Sequence, residues 1–301
     1  MDINFKDQEP FETACIDGLL NIAKWILKVS EKIGKNIDIH RNNYYVFRRV
    51  CRNTHLDIAK WLYTYSKESD SPIDLKSIAN DCFSDICLHG DFEMANWFYG
   101  ICKVEKCLPD ITHKDCEALS KLSIDGNLKM VSWLLTLYNT VNIHYDEEKM
   151  FRFACISENI ELVKWLWNFS IRIESRININ AIQDSAFRRS ARDGNLDLCK
   201  WILNTSKHFE TSVDIYAKGL YAFEWAVLNG HLETVIWLYE IHNSTYERKK
   251  MNEKDFDKAY ENGTLLITNW IDAPRNKYIF SDSHDCMEDW KTSRFIELVK
   301  V

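Results

Sequence analysis

Three sets of residues carry the chemistry that this sequence could perform. The first is Cys102-x4-Cys107-x5-His113-x2-Cys116, which gathers three thiols and an imidazole. Thiolate and imidazole are ligands that zinc favours. The spacing matches no standard zinc knuckle, however, and Cys116 falls where an early helical turn is predicted, so no metal is assigned. The second set is basic. The pattern Phe-Arg-Arg-x-x-Arg occurs twice, giving Arg48, Arg49, Arg52 and Arg188, Arg189, Arg192, with Arg152 between them. The third set is aromatic, Phe153 and Trp225. Arginine and tryptophan are enriched among the residues that dominate protein interfaces. Each also has a plainer reading, because helix arginines are mostly solvated or paired with acids one repeat away, and Trp225 could pack between repeats. The sharper reading puts Arg188, Arg189, Arg192 and Trp225 on one binding surface.

Other chemistry has no support in the residues. There is no strand–glycine-loop–helix fingerprint for phosphate or dinucleotide and no nucleophile elbow. The nine histidines are scattered. The reading is a non-enzyme without a cofactor. A formal charge of −7 argues against a general nucleic-acid binder, because phosphate affinity rests on clustered Lys and Arg. Residues 1–10 are polar, which argues against a signal peptide, and no apolar run approaches the roughly 18–20 residues that span a bilayer. A monomeric, cytoplasmic protein is expected, one that binds another protein and neither nucleic acid nor membrane. At 46% hydrophobic and 28% charged the composition is that of a folded chain.

The elements that must position these residues are read from the tryptophans. Trp25, Trp61, Trp97, Trp133, Trp165, Trp201, Trp237 and Trp270 lie 36, 36, 36, 32, 36, 36 and 33 residues apart. Fourteen residues before each stand Phe11, Phe47, Phe83, Leu119, Phe151, Phe187, Phe223 and Phe256. Apolar residues three and four apart form two short runs per unit, which describes two amphipathic helices. Seven residues before the Trp come Gly18, Gly90, Gly126, Gly194, Gly230 and Gly263, six of only nine glycines. Glycine there supplies the left-handed residue that ends a helix. Asp91, Asn127, Asn159, Asn195 or Thr264 follows as N-cap of the second helix. Cys15, Cys51, Cys87 and Cys155 share another slot beside an apolar residue, and read as small buried hydrophobes in a reducing compartment. The unit is therefore helix, tight glycine turn, helix. A lone pair cannot bury its apolar face, but stacked pairs can, which defines a solenoid. Each registered Trp is expected to be sandwiched between repeats, with truncation costing ~3–5 kcal/mol.

Segments such as Phe47-Arg-Arg-Val-Cys-Arg-Asn-Thr-His-Leu-Asp-Ile-Ala-Lys-Trp-Leu-Tyr63 resemble the core of the ankyrin repeat, and so does Phe223-Glu-Trp-Ala-Val-Leu-Asn-Gly-His-Leu-Glu-Thr-Val-Ile-Trp-Leu-Tyr239. Triplets such as Ile37-Asp38-Ile39 and Ile177-Asn178-Ile179 are similar to that family's entry to its β-hairpin. The resemblance implies an all-α, ankyrin-type helix–turn–helix solenoid of about eight repeats. They run approximately over 8–39, 44–75, 80–111, 116–143, 148–179, 184–215, 220–247 and 253–272, in a single domain 1–301 with a C-terminal cap over 273–301. The T-P-L-H signature is absent, and most of the extra length of the 36-residue period lies after the Trp. Longer second helices and short or missing hairpin fingers follow. The fourth unit is four residues shorter and should have a trimmed second helix or loop. The Lys-Trp-Leu-Tyr flavour, with richness in Asn, Lys, Ile and Tyr, resembles the divergent ankyrin proteins of large DNA viruses. The family binds proteins through the inner face of its first helices. This implies an interaction module engaging a host protein through Arg48, Arg49, Arg52, Arg152, Phe153, Arg188, Arg189, Arg192 and Trp225, or alternatively a structural scaffold of a virus particle.

Overall fold

The computed structural model describes residues 8–111, 117–138, 140–209, 211–219 and 221–244, with side chains as far as 241. Fourteen α-helices and no strand lie among them. The first helices of successive repeats are α1 (Glu9–Ile16), α3 (Arg41–Arg52), α5 (Leu75–His89), α7 (Glu117–Ile124), α9 (Tyr145–Ala154), α11 (Ala181–Arg192) and α13 (Tyr221–Leu228). Their second helices are α2 (Leu20–Lys32), α4 (Leu56–Glu68), α6 (Phe92–Val104), α8 (Leu128–Leu137), α10 (Ile160–Arg172), α12 (Leu196–His208) and α14 (Leu232–Ser244). Helix α8 has 10 residues where the other second helices have 13, so the short fourth unit is trimmed in its second helix. The chain divides into two compact units, Met1–Asn178 with α1 to α10 and Ile179–Val301 with α11 to α14. The eighth repeat and the C-terminal cap lie outside the described residues.

The turns between paired helices form for the reason the glycines suggest. Gly18, Gly90, Gly126, Gly194 and Gly230 all have φ between +67° and +80°. Where the slot lacks glycine, Thr54 and Glu158 adopt the same left-handed conformation at +60° and +61°. The next residue caps the second helix. Asp91, Asn127, Asn159 and Asn195 each accept a hydrogen bond from a backbone N–H two or three residues on. The cap position also ties neighbouring repeats together. Asn127 Nδ2 donates to Gly90 O at 3.1 Å, Asn159 Nδ2 donates to Gly126 O at 2.8 Å, and His55 Nε2 lies 2.9 Å from Ile16 O. Glycine is thus required twice over, because a Cβ at Gly90 would stand 2.9 Å from Asn127 Nδ2.

The core is built from the registered first-helix rings and from a slot of small residues in the second helix. Phe11, Phe47, Phe83, Phe151 and Phe187 are all buried, as are Cys15, Cys51, Cys87 and Cys155. Two residues before each Trp, Ala23, Ala59, Ala95, Val131, Val163, Cys199 and Val235 are fully buried; small side chains there let helices approach closely. One residue after the Trp, Ile26, Leu62, Phe98, Leu134, Leu166, Ile202 and Leu238 are buried too.

The tryptophans themselves are placed differently from expectation. Trp25 is 57% exposed, and the other described members of the register are half-buried. Trp61 leans edgewise, and Trp133 and Trp237 lean at a tilt, on the first-helix ring of the preceding repeat, with centroids 6.3, 6.2 and 6.3 Å from Phe11, Phe83 and Phe187. Among the described residues no such ring precedes Trp25. The indole straddles the seam between repeats with one edge in water, and the residue after it fills the core.

Hairpin fingers are replaced by something tighter. Three consecutive residues at the start of α3 (Asn42, Asn43, Tyr44), α9 (Asp146, Glu147, Glu148) and α11 (Ile182, Gln183, Asp184) are left-handed, with φ between +48° and +65°. Each such residue costs roughly 1–2 kcal/mol with an L side chain, so the turns need compensating contacts.

Candidate functional site

Within Ile179–Val301 the candidate residues lie on α11 and α13. Arg188 is 5% exposed, and its guanidinium turns into the fold. Its Nε donates to Gln183 O at 2.7 Å and Nη2 to Ile182 O at 3.0 Å. Both acceptors belong to the left-handed turn. The Tyr221 ring covers the guanidinium at 4.9 Å. Burial pulls the Arg188 pKa below the ordinary arginine value. Arg192 is half-buried and neutralised by its neighbour: Nε donates to Asp193 Oδ1 at 2.8 Å and Nη2 to Oδ2 at 3.2 Å. That hydrogen bond raises its pKa. Arg189 is half-buried and makes no hydrogen bond or ion pair with the described residues. Trp225 stands at the equivalent slot of α13, 38% exposed, with its ring 5.7 Å from that of Tyr221. Leu228, one turn further along α13, is 37% exposed.

Within Met1–Asn178 the pattern repeats in part. Arg152 does for α9 what Arg188 does for α11. It is buried, and donates from Nε to Glu147 O at 2.7 Å and from Nη2 to Asp146 O at 2.8 Å. Arg48 is half-buried and lies 3.9 Å from Asp81 on the next first helix. The Nε of Arg49 is buried without a partner among the described residues, and Arg52 is exposed. Phe153, half-buried, has Lys149 Nζ 5.7 Å from its ring centroid.

Two of the nine candidates therefore leave the surface. Arg152 and Arg188 are ligands for left-handed backbone, where a charged donor gives strong hydrogen bonds and offsets the conformational cost. Two polar residues at the ends of first helices are also structural. Asn53 Nδ2 donates to Ile16 O at 3.0 Å, and Asn229 Nδ2 to Arg192 O at 2.7 Å. Tyr221 was not singled out by the sequence, although its i, i+4 spacing to Trp225 places both rings on one helix face.

A second ladder was also missed. Asn80 Oδ1, Glu148 Oε1 and Asp184 Oδ2 accept from the backbone N–H groups of Asp110, Asn178 and Asp214, thirty residues on, at 2.9, 3.0 and 3.2 Å. Glu148 Oε1 also lies 2.8 Å from His144 Nδ1, and His144 Nε2 lies 2.7 Å from Ser175 Oγ. That is the connectivity of a hydroxyl, a base and an orienting acid. The repeat explains it as a clamp, because His40 and Ser71 make the same contact at 2.8 Å with Tyr44 in the carboxylate's place. In these two repeats it ties the start of the first helix, α3 or α9, to the loop after the second, α4 or α10.

The thiol cluster is partly visible. Cys102 is buried and in hydrogen-bonding contact with Cys107, and burial pushes both pKa values up. His113 and Cys116 lie outside the described residues. No group of three or more potential ligands gathers among the described residues, and no described helix is long and apolar enough to cross a membrane.

The family model of ankyrin repeats in many copies matches residues 183–238, a stretch that holds Arg189 and Trp225. No curated protein matches the sequence. The crystal structure of the human ASB11 ankyrin repeat domain is similar over 76% of this chain and 97% of that one, with a TM-score of 0.48 and 14% identity.

Proposed function

We propose that this chain is a protein-interaction module, and that Arg189, Arg192, Trp225 and Leu228 grip its partner. Ankyrin repeats are in general modules of this kind. One observation carries the assignment of the face. On the adjacent helices α11 and α13, an arginine with no partner among the described residues occupies the same slot as an exposed indole. Packed at a tilt against the Tyr221 ring, Trp225 is held in place before binding, which lowers the ordering cost of the contact. In the other unit Arg49, Arg52 and Phe153 extend the proposal to equivalent slots. The finer form of the reading, a viral protein engaging a host protein, rests on the resemblance to the ankyrin proteins of large DNA viruses.

The test is affinity capture from host lysate with the wild type and with the double variant Arg189→Glu/Trp225→Ala. Circular dichroism serves as the fold control. A stoichiometric protein retained by the wild type and lost by a folded variant supports the reading. Unchanged capture by the variant rejects this face.

A further inference from the structure

We propose that Cys102 and Cys107 are a redox pair, closed into an intramolecular disulfide by an organic disulfide such as glutathione disulfide and reopened by thiols. The two residues end one structural motif. Cys107 N donates to Cys102 O at 2.9 Å, Lys106 N donates to Lys103 O at 3.3 Å, and Lys106 is left-handed at φ +57°. In this helix-ending cap the side chains of the first and last positions meet. The path from one Cα through C=O···H–N to the other spans at most about 6.8 Å, within the range that a disulfide bridges. The Cys102 thiol is buried and in contact with that of Cys107, which is half-buried and open to a reagent.

Comparison between repeats sets this pair apart. The same N–H···O bond closes α2, α4, α10 and α12, joining Lys35 to Ser30, Ser71 to Ser66, Ser175 to Ser170 and Thr211 to Ser206. The first position is serine in all four. Of these five helices only α6 has cysteine there, and it has cysteine at the last position too. After α4 and α10 the serine hydroxyl also accepts from Ile73 N at 3.4 Å and Ile177 N at 3.3 Å, which ties the following loop back to the helix. The equivalent residue after α6 is Pro109, which has no N–H to give. A covalent bond between Cys102 and Cys107 supplies that tie. The loop it fixes is engaged on both sides, because Asp110 N donates to Asn80 Oδ1 at 2.9 Å and Tyr138 OH donates to Pro109 O at 2.8 Å. Oxidation therefore stiffens the junction between the third and fourth repeats.

The chemistry is two successive exchanges. The Cys107 thiolate attacks one sulfur of glutathione disulfide and expels a glutathione thiolate. The Cys102 thiolate then attacks the Cys107 sulfur and expels the second. Two protein thiols are oxidised, one glutathione disulfide is reduced to two glutathiones, and the protons of the protein thiols pass through solvent to the departing thiolates. Burial raises both thiol pKa values and slows attack at neutral pH, but it does not penalise the uncharged disulfide.

The test incubates the full chain with glutathione disulfide at about pH 8.5, where more thiolate is present. Remaining thiols are blocked with N-ethylmaleimide in denaturant, and the chain is digested with trypsin without reduction. Trypsin cuts after Lys103 and Lys106, between the two cysteines, so residues 77–103 and 107–114 should stay joined until dithiothreitol is added. Fragmentation of the joined peptide should place the bond at Cys102, not at Cys82 or Cys87. Cys102→Ser installs the residue that the other repeats hold, with circular dichroism as the fold control. In that variant the joined peptide should be lost and 107–114 should carry a glutathione instead. Wild-type 107–114 that keeps its glutathione without closing, bonds to any other cysteine, or stays unoxidised overturns the inference.

Discussion

The glycine slot offers a quantitative test of how neighbouring repeats meet. At Gly34, φ is +66° and an added Cβ would meet nothing within 4 Å. At Gly194, φ is +77°, and the added Cβ would lie 2.5 Å from His231 Cγ, at the root of the next repeat's imidazole. The two sites share one term and differ in the other. A Cβ in left-handed conformation costs roughly 1–2 kcal/mol, of which about 0.4–1 kcal/mol is returned by reduced freedom in the unfolded chain. Gly34→Ala should therefore cost about 1 kcal/mol. Gly194→Ala carries that same cost and must also displace a ring from its root, an overpacking worth another ~1–3 kcal/mol. The difference should reverse in a double-mutant cycle: Gly194→Ala in a His231→Ala background should cost no more than Gly34→Ala does. Urea denaturation followed by circular dichroism measures all five proteins (wild type, the two glycine variants, His231→Ala and the double variant), with local hydrogen exchange in α12 and α13 checking that the loss is centred there. Equal costs at the two glycines, or no relief from His231→Ala, would show that left-handed conformation alone selects glycine and that the close approach is irrelevant.

Three further outcomes are expected. Arg188→Met removes two charge-assisted hydrogen bonds from the left-handed turn and should lower stability by about 2–4 kcal/mol, while Arg189→Met should stay within about 0.5 kcal/mol; thermal unfolding of the pair checks this, and similar losses would contradict the burial difference. Trp61→Ala should cost about 2–3 kcal/mol through loss of its seat on Phe11, against less than about 1 kcal/mol for the exposed Trp25→Ala, measured by the urea midpoint. Burial pushes the thiols of Cys15, Cys82 and Cys199 up from 9.0 to about 12. Between those values the unfolded chain binds fewer protons than the folded one. Stability is thus complete below about pH 9 and falls as pH rises towards 12, by up to about 1.4 kcal/mol per pH unit for each thiol. Cys82→Ala should flatten that alkaline slope in urea titrations at stepped pH, and an unchanged slope would mean the thiol ionises equally in both states.

The one-dimensional pattern determined the repeat and most of its local structure. Position within a 36-residue period identifies equivalent residues, and equivalent residues in a stack share burial. The paired helices, the glycine turns, the Asn and Asp caps, the buried cysteines and the shortened α8 all follow from that. Only the tertiary structure decided which way a side chain at a given slot turns. Arg188 and Arg189 are adjacent letters in the same motif, yet one binds carbonyls of the turn before it and the other does not. Backbone carbonyls carry no letter of their own in a sequence, so a guanidinium that satisfies them reads the same as one facing solvent. The same reasoning holds for Asn53 and Asn229, whose acceptors are carbonyls one repeat away. The tryptophans marked the period because the seam needs a long, flat side chain. Their half-burial depended on what the neighbouring repeat offers, which at Trp25 is no ring among the described residues.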